Sequence, residues 1–264
     1  MAELYNTHYG EFAAEVQRAV RSETYGEDVG QSSWMTADEL LYFATILKID
    51  SSSNVLEIGS GSGGSAIFLA ENTGCAITGI DANEFGISNA NELAKQRGLD
   101  SRARFEVIDA SKRLAFDAGE FDVVFSNDVM CHVPDRQKVL QEWHRVLKPA
   151  GQMLFTDALV ITGIISHIEI AKRSSIGLYF FVPTGENERM IDEAGFEIIA
   201  VEDLTPAAAE VSKRWYDARA KHRAGMFEIE GEENFEGLQD FLQCVHTLTS
   251  EKRLSRFMYH ARKV

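Results

Sequence analysis

Residues Val55-Leu56-Glu57-Ile58-Gly59-Ser60-Gly61-Ser62-Gly63-Gly64 carry an apolar run into a bend that is almost free of side chains, and then into a helical pattern. Glycine at such a bend lets backbone approach a bound nucleoside, and in open α/β sheets ligands gather at the carboxyl ends of the strands. Apolar runs and amphipathic helical patterns then alternate along the chain, as in parallel βαβ units. Strands are predicted at Val55 to Gly59, Ala76 to Asp81, Ala103 to Asp109, Phe121 to Ser126 and Gln152 to Asp157. A sixth is predicted at Phe196 to Leu204 and a last at Phe257 to Arg262. The fold class is therefore α/β, a doubly wound, mostly parallel, seven-stranded sheet.

The helices carry their own punctuation. Ser65 to Asn72 stops at Gly74 and Glu84 to Arg97 at Gly98, while Asp135 caps a helix burying Val139, Leu140, Trp143, Val146 and Leu147. Residues 1–48 read as an N-terminal helical lid, with Thr36 to Leu47 presenting Leu40, Leu41, Phe43, Ala44 and Leu47 to a core. Residues 49–264 form the main domain. Within it, 158–192 lack a clean period and are the expected lid insertion after strand five; two helical stretches follow near Pro206 to Met226 and Asn234 to Leu248.

The net charge of −15 opposes contact with nucleic acid and with anionic membranes, and Lys213 to Arg223 is broken by Asp217 into the pattern of a solvated helix face. Cys75, Cys131 and Cys244 are too scattered for a zinc site or a redox pair, and no clustered metal-ligand set stands out. With an N-terminus unlike a secretory signal, and a longest apolar run (Ala158 to Ile165) too short to span a bilayer, a cytoplasmic location is expected. Oligomeric state is not legible.

Gly59, Gly61 and Gly64 satisfy the dinucleotide pattern G-x-G-x-x-G, so the bend alone admits a pyrophosphate. Glu57 points elsewhere: a carboxylate there suits the cationic methionine part of S-adenosylmethionine. Asp81, ending the second strand, suits either cofactor's ribose hydroxyls, and Asp109, ending the third, suits an adenine amino group. Each acid also has a purely local reading, as a cap, a turn residue or an acceptor of nearby amides.

On these residues the chain resembles the class I S-adenosylmethionine-dependent methyltransferases, from Val55 to Asp157. The resemblance implies a Rossmann-like fold and S-adenosylmethionine as cofactor. It assigns Glu57, Gly59, Gly61 and Gly63 to the methionine side, Asp81 to the ribose and Asp109 with Ala110 to adenine, and it counts Ala82 and Asn127 among the cofactor-binding residues. It continues through Phe121-Asp122-Val123-Val124 and Leu147-Lys148-Pro149-Ala150-Gly151, where Ala150 stands in place of the family's glycine.

Methyl transfer is an in-line displacement, so a site needs a positioned lone pair and, for an amine, a way to lose a proton. Asp128 and His132, four residues apart after the fourth strand, are the candidates; His132 reads equally as a packing or capping residue. Tyr25-Gly26-Glu27-Asp28 and the Asn127 to His132 segment are similar to the sarcosine/dimethylglycine and phosphoethanolamine N-methyltransferases. That group's tyrosine latch on the histidine falls on Tyr9, within Asn6-Thr7-His8-Tyr9. Ala158, Leu159 and Val160 depart from the group's phosphate-gripping residues. Lys172, Arg173 and Tyr179 are either substrate contacts or a charged helix face. Tyr25, Trp34, Tyr179, Phe180 and Phe181 suit an aromatic substrate wall or ordinary packing. The expected function is methyl transfer to a small-molecule amine or amino acid. The alternatives are an O- or C-methyltransferase of a secondary metabolite, a nicotinamide-dependent oxidoreductase, or a non-catalytic cofactor-binding protein.

Overall fold

The computed structural model describes Phe12 and residues 14–264. Two helices precede the sheet, α1 (Glu15–Tyr25) and α2 (Ala37–Ile46), the second capped by Thr36, whose hydroxyl accepts from the Glu39 amide at 3.3 Å. Strand and helix then alternate: β1 (Asn54–Ile58), α3 (Gly64–Thr73), β2 (Ala76–Asp81), α4 (Glu84–Gln96), β3 (Ala103–Val107) and β4 (Phe121–Ser126). A 3-10 turn at Met130–His132 leads to α5 (Arg136–Val146) and β5 (Leu147–Ile161). The remainder is α6 (His167–Arg173), β6 (Val182–Pro183), α7 (Glu186–Glu193), β7 (Phe196–Asp203), α8 (Thr205–Lys221), α9 (Arg223–Glu230), α10 (Glu232–Ser250) and β8 (Leu254–Lys263).

The sheet runs β3-β2-β1-β4-β5-β8-β7, parallel from β3 to β5, with β8 antiparallel to β5 and β7. These are the seven expected strands; β6, two residues long, adds a further pairing on β5. Strand order reverses at β1, which lies between β2 and β4, and the reversal leaves a crevice at the carboxyl ends of β1 and β4.

Successive strand side chains point to opposite faces, so each face gathers its own core. Val55 joins Phe43, Leu69, Ile77 and Phe125 under α2, α3 and α4, whereas Leu56 joins Val124, Trp143, Val146 and Phe155 under α5. Each of these large side chains contributes about 1.5–3 kcal/mol on burial. A third cluster, with Tyr25, Trp34, Ala158, Val211 and Phe241, packs α1, α8 and α10 together over the crevice end of the sheet.

Two boundaries differ from expectation. The break after strand five was predicted at residue 158, but Ala158, Leu159 and Val160 are buried and β5 continues on β8 after a register shift between Asp157 and Val160. The predicted insertion is therefore shorter, and it contains α6 and α7. The helical stretch expected near Pro206 to Met226 is split at His222 into α8 and α9. Among the described residues no helix is long and apolar enough to cross a membrane.

Candidate functional site

The bend after β1 is tied to β2 by backbone alone: the Gly59 and Ser60 amides donate to the Ile80 carbonyl at 2.8 and 3.0 Å. Gly59 stands at φ +77°, and a Cβ there would lie 2.2 Å from Cγ2 of Val129, so no other residue fits the turn. Gly63, also left-handed at φ +79°, would drive a Cβ to 2.6 Å from Ala90. Its service is close packing of α3 on α4, and it is not among the residues lining the cavity described next.

A cavity of about 590 Å³ opens at the crevice and reaches up to α8, α9 and α10. Glu57, Gly59, Gly61, Asp81, Ala82, Asp109, Ala110, Asn127, Asp128, His132, Trp34 and Tyr179 all line it, so the fold brings most of the sequence-selected residues together. Tyr25 does not line it. That ring lies in the third core cluster, and its hydroxyl donates to the Ser33 carbonyl at 2.8 Å. Tyr9 falls outside the described residues.

Asp81 is oriented by backbone: Oδ2 accepts from the Gly61 amide at 2.9 Å and Oδ1 from the Asn83 amide at 2.8 Å. Burial holds its carboxyl above the usual range. Asp109 is half exposed and turned to Ser111, whose hydroxyl and amide donate to it at 2.6 and 3.0 Å, and these bonds lower its pKa.

Glu57 is different. It is 3% exposed, its Oε2 has no hydrogen-bond partner among the described residues, and the neighbouring Ser60 hydroxyl has none either. Burial first, and the Asp81 charge second, push its carboxyl up to about 8. A buried, unpaired acid is costly, and a cation in the cavity is what would relieve it. The sulfonium and ammonium of S-adenosylmethionine fit that requirement; a pyrophosphate does not.

Asp128, expected to face a substrate ammonium, is instead engaged within the protein. Its Oδ1 accepts from Arg256 Nε at 2.9 Å and lies 2.9 Å from the Thr156 hydroxyl, and its Oδ2 accepts from the Trp34 amide at 3.2 Å. Asn127 joins the same network, accepting from Arg256 Nη2 at 2.9 Å and donating to Ser33 Oγ at 2.6 Å. Arg256 also sits 2.7 Å from Glu39. Asp128 holds a left-handed φ of +56°, a conformation aspartate tolerates better than most residues. Arg256, Ser33 and Thr156 carry no local sequence signal that marks them as members of this network.

His132 ends the 3-10 turn with Nδ1 3.0 Å from the Leu178 carbonyl. A carbonyl only accepts, so the proton belongs on Nδ1 and the basic lone pair on Nε2. Burial lowers the His132 pKa, keeping the ring neutral at pH 7. The ring packs at 4.6 Å from that of Tyr179, and the Phe180 amide donates to the Cys131 carbonyl at 2.8 Å, binding the insertion to the turn after β4. Trp34, Trp215 and Phe241 complete this half of the cavity, with the Trp34 and Phe241 rings stacked at 6.5 Å. Arg173, read from sequence as a substrate contact or a charged helix face, is buried here and lines the same half.

Residues 49–176 match the model of a methyltransferase domain family. The chain is similar to sarcosine/dimethylglycine N-methyltransferase of Halorhodospira halochloris, 31% identical over 68% of this chain and 63% of that protein. It is also similar to 27-O-demethylrifamycin SV methyltransferase of Amycolatopsis mediterranei, 28% identical over 89% of this chain and 85% of that protein. Its fold matches phosphoethanolamine N-methyltransferase 2 of Haemonchus contortus in complex with S-adenosyl-L-methionine, TM-score 0.82 and 21% identity over 100% of this chain and 60% of that one. The chain thus spans less than two thirds of the first and third of these proteins. Domain match, relatives and fold agree, and residues 49–176 belong to a methyltransferase domain family.

Proposed function

We propose that this protein transfers the methyl group of S-adenosylmethionine to the nitrogen of a small-molecule amine. When bound, that cofactor supplies a methyl carbon made electrophilic by its sulfonium. The observation that carries the reading is Glu57, a buried carboxyl whose Oε2 has no hydrogen-bond partner among the described residues, at a glycine-rich bend beside Asp81.

In this reading Glu57 faces the cationic methionine end, with Gly59 and Gly61 giving room. Gly63 serves indirectly, by seating α3. Asp81, with Ala82 beside it, accepts from the ribose hydroxyls through lone pairs not used by the Gly61 and Asn83 amides. Asp109 and Ala110 border the adenine, and Asn127 the open edge. His132 takes the proton released by the amine at Nε2, its tautomer fixed by the Leu178 carbonyl. Asp128 is a positioning residue: it holds Trp34, whose ring, with those of Trp215 and Phe241, offers π faces to a methylated ammonium. Residues 1–48 act as the lid, anchored to the site through Ser33, Trp34 and Glu39. Tyr9 is the proposed latch on His132, and Tyr25 supports the wall from behind.

A second reading, methylation of a hydroxyl on a larger apolar metabolite, is favoured by the aromatic half of the cavity. Incubation with methyl-labelled cofactor and a panel of amines, amino acids and phenols decides between them. Label on amines supports the proposal, label on phenols alone supports the second reading, and label on none of them overturns both.

A further inference from the structure

Five arginines are buried among the described residues, and four of them hold a carboxylate. Arg21 meets Asp28 at 2.9 Å, Arg136 meets Asp157, Arg219 meets Glu230 at 2.5 Å and Arg256 meets Asp128 at 2.9 Å. Arg173 is the exception. It is 2% exposed, forms no ion pair with the described residues, and its Nε and Nη1 have no hydrogen-bond partner among them.

Its placement is specific. Arg173 is the last residue of α6, where the helix dipole favours a cation, and the capping box of Ser166 and Glu169 fixes the other end of that short helix. Its guanidinium carbon lies 4.7 Å from the centre of the Tyr179 ring and 4.8 Å from that of Phe241. Two rings thus pack against the guanidinium, and among the described residues no carboxylate forms an ion pair with it. Arg173 lines the same cavity as His132 and Trp34. An unpaired buried charge is costly unless a counter-charge arrives, so this cation is complete only when an anion enters the cavity.

Resting on the methyltransferase reading above, we infer that Arg173 is an anion subsite for the acceptor, and that the acceptor carries a carboxylate gripped at the guanidinium edge between Tyr179 and Phe241. Geometry also limits the charge of that group. The neighbouring Lys172 is turned to Asp240 at 3.7 Å, which leaves one guanidinium facing the site. Glu57, Asp81, Asp109 and Asp128 line the same cavity and would repel a second negative charge. A monoanionic carboxylate fits this balance better than a dianionic phosphate. Together with an amine for methylation, it defines an amino-acid-like zwitterion as the acceptor.

The test is calorimetric titration with sodium acetate, and separately with inorganic phosphate, at constant ionic strength. It uses the protein alone and the protein saturated with S-adenosylhomocysteine, in wild type, Arg173→Gln and Arg173→Lys. Acetate is expected to bind the wild type more tightly than phosphate. Arg173→Gln should weaken acetate binding roughly tenfold or more, the scale of a lost charged hydrogen bond, while leaving S-adenosylhomocysteine affinity unchanged. If Arg173→Gln does not fold, Arg173→Lys decides, because a point charge lacking the planar fork should bind acetate severalfold more weakly. Acetate affinity unchanged in the variants, or no anion binding to the wild type in either state, overturns the subsite. Preference for phosphate overturns the carboxylate. Failure of S-adenosylhomocysteine to bind the wild type counts against the methyltransferase reading, and the titration of the protein alone still judges Arg173.

Discussion

Arg256 Nε, on β8, stands 2.9 Å from Asp128 Oδ1, just past β4, although 128 residues separate the two in the chain. Around this pair Glu39, Asn127, Ser33 and the Trp34 amide converge, so one buried guanidinium joins the last strand, the turn after β4 and the segment that precedes α2. Removing one partner of a buried pair leaves the other charge uncompensated. Arg256→Met should therefore lower stability by about 3–5 kcal/mol, read from urea unfolding. A loss below about 1 kcal/mol would show that the pair is not a structural clamp.

Glu57 links stability and binding to pH. Its folded-state pKa, about 8, lies above the ordinary glutamate value of 4.5, so within that window the folded protein binds more protons than the unfolded chain. Its contribution to the stability of the ligand-free protein is thus present at low pH and is lost as pH rises toward about 8. A cationic ligand favours the ionised carboxylate, so binding of S-adenosylmethionine below that pH should release a proton and tighten as pH rises. The binding heat should depend on the ionisation enthalpy of the buffer in wild type and lose most of that dependence in Glu57→Gln. Equal buffer dependence in both proteins would remove Glu57 from the account.

His132 should act in turnover rather than in cofactor binding. Because burial lowers its pKa from 6.5, the base form is already present at pH 7, and activity should fall only as pH drops through a value below 6.5. His132→Ala is expected to reduce turnover by about 10²–10⁴-fold with S-adenosylhomocysteine affinity unchanged. Equal losses of turnover and affinity would mark a structural histidine.

Ala150 occupies a left-handed backbone position at φ +61°, where the related motif has glycine. The Cβ is penalised there by about 1–2 kcal/mol, partly offset by the greater chain entropy that glycine loses on folding. Ala150→Gly should accordingly raise stability by about 0.5–1 kcal/mol in a denaturant titration. A decrease would show that the Ala150 methyl makes contacts worth more than the strain.

Much of the crevice at the carboxyl ends of the strands was legible because it depends on local sequence. Ala76 to Asp81 and Phe121 to Ser126 are apolar runs bounded by polar residues, and both strands occupy those limits. Asp81 falls at a strand end, and its position at the crevice follows from parallel pairing alone. The half of the cavity lined by Arg173 and Phe241 was not legible in the same way. α6 and α7 are short, and α6 is defined by a capping box rather than by an apolar stripe, so periodicity misses it. Asp128 reads as a free carboxylate because nothing in its neighbourhood names Arg256. A charged residue ending a short helix looks the same in sequence whether its tip meets water or two rings; packing of α10 brings Phe241 to Arg173.

Calorimetry with S-adenosylmethionine, S-adenosylhomocysteine and NAD tests whether the cavity at the carboxyl ends of β1 to β4 binds an adenosyl sulfonium. Saturable binding of the first two is expected, none of NAD, and an affinity for S-adenosylhomocysteine about 10–100-fold weaker in Asp81→Ala, from lost hydrogen bonds to a charged group. Binding of NAD alone, or no heat with either sulfur compound from folded protein, would contradict it.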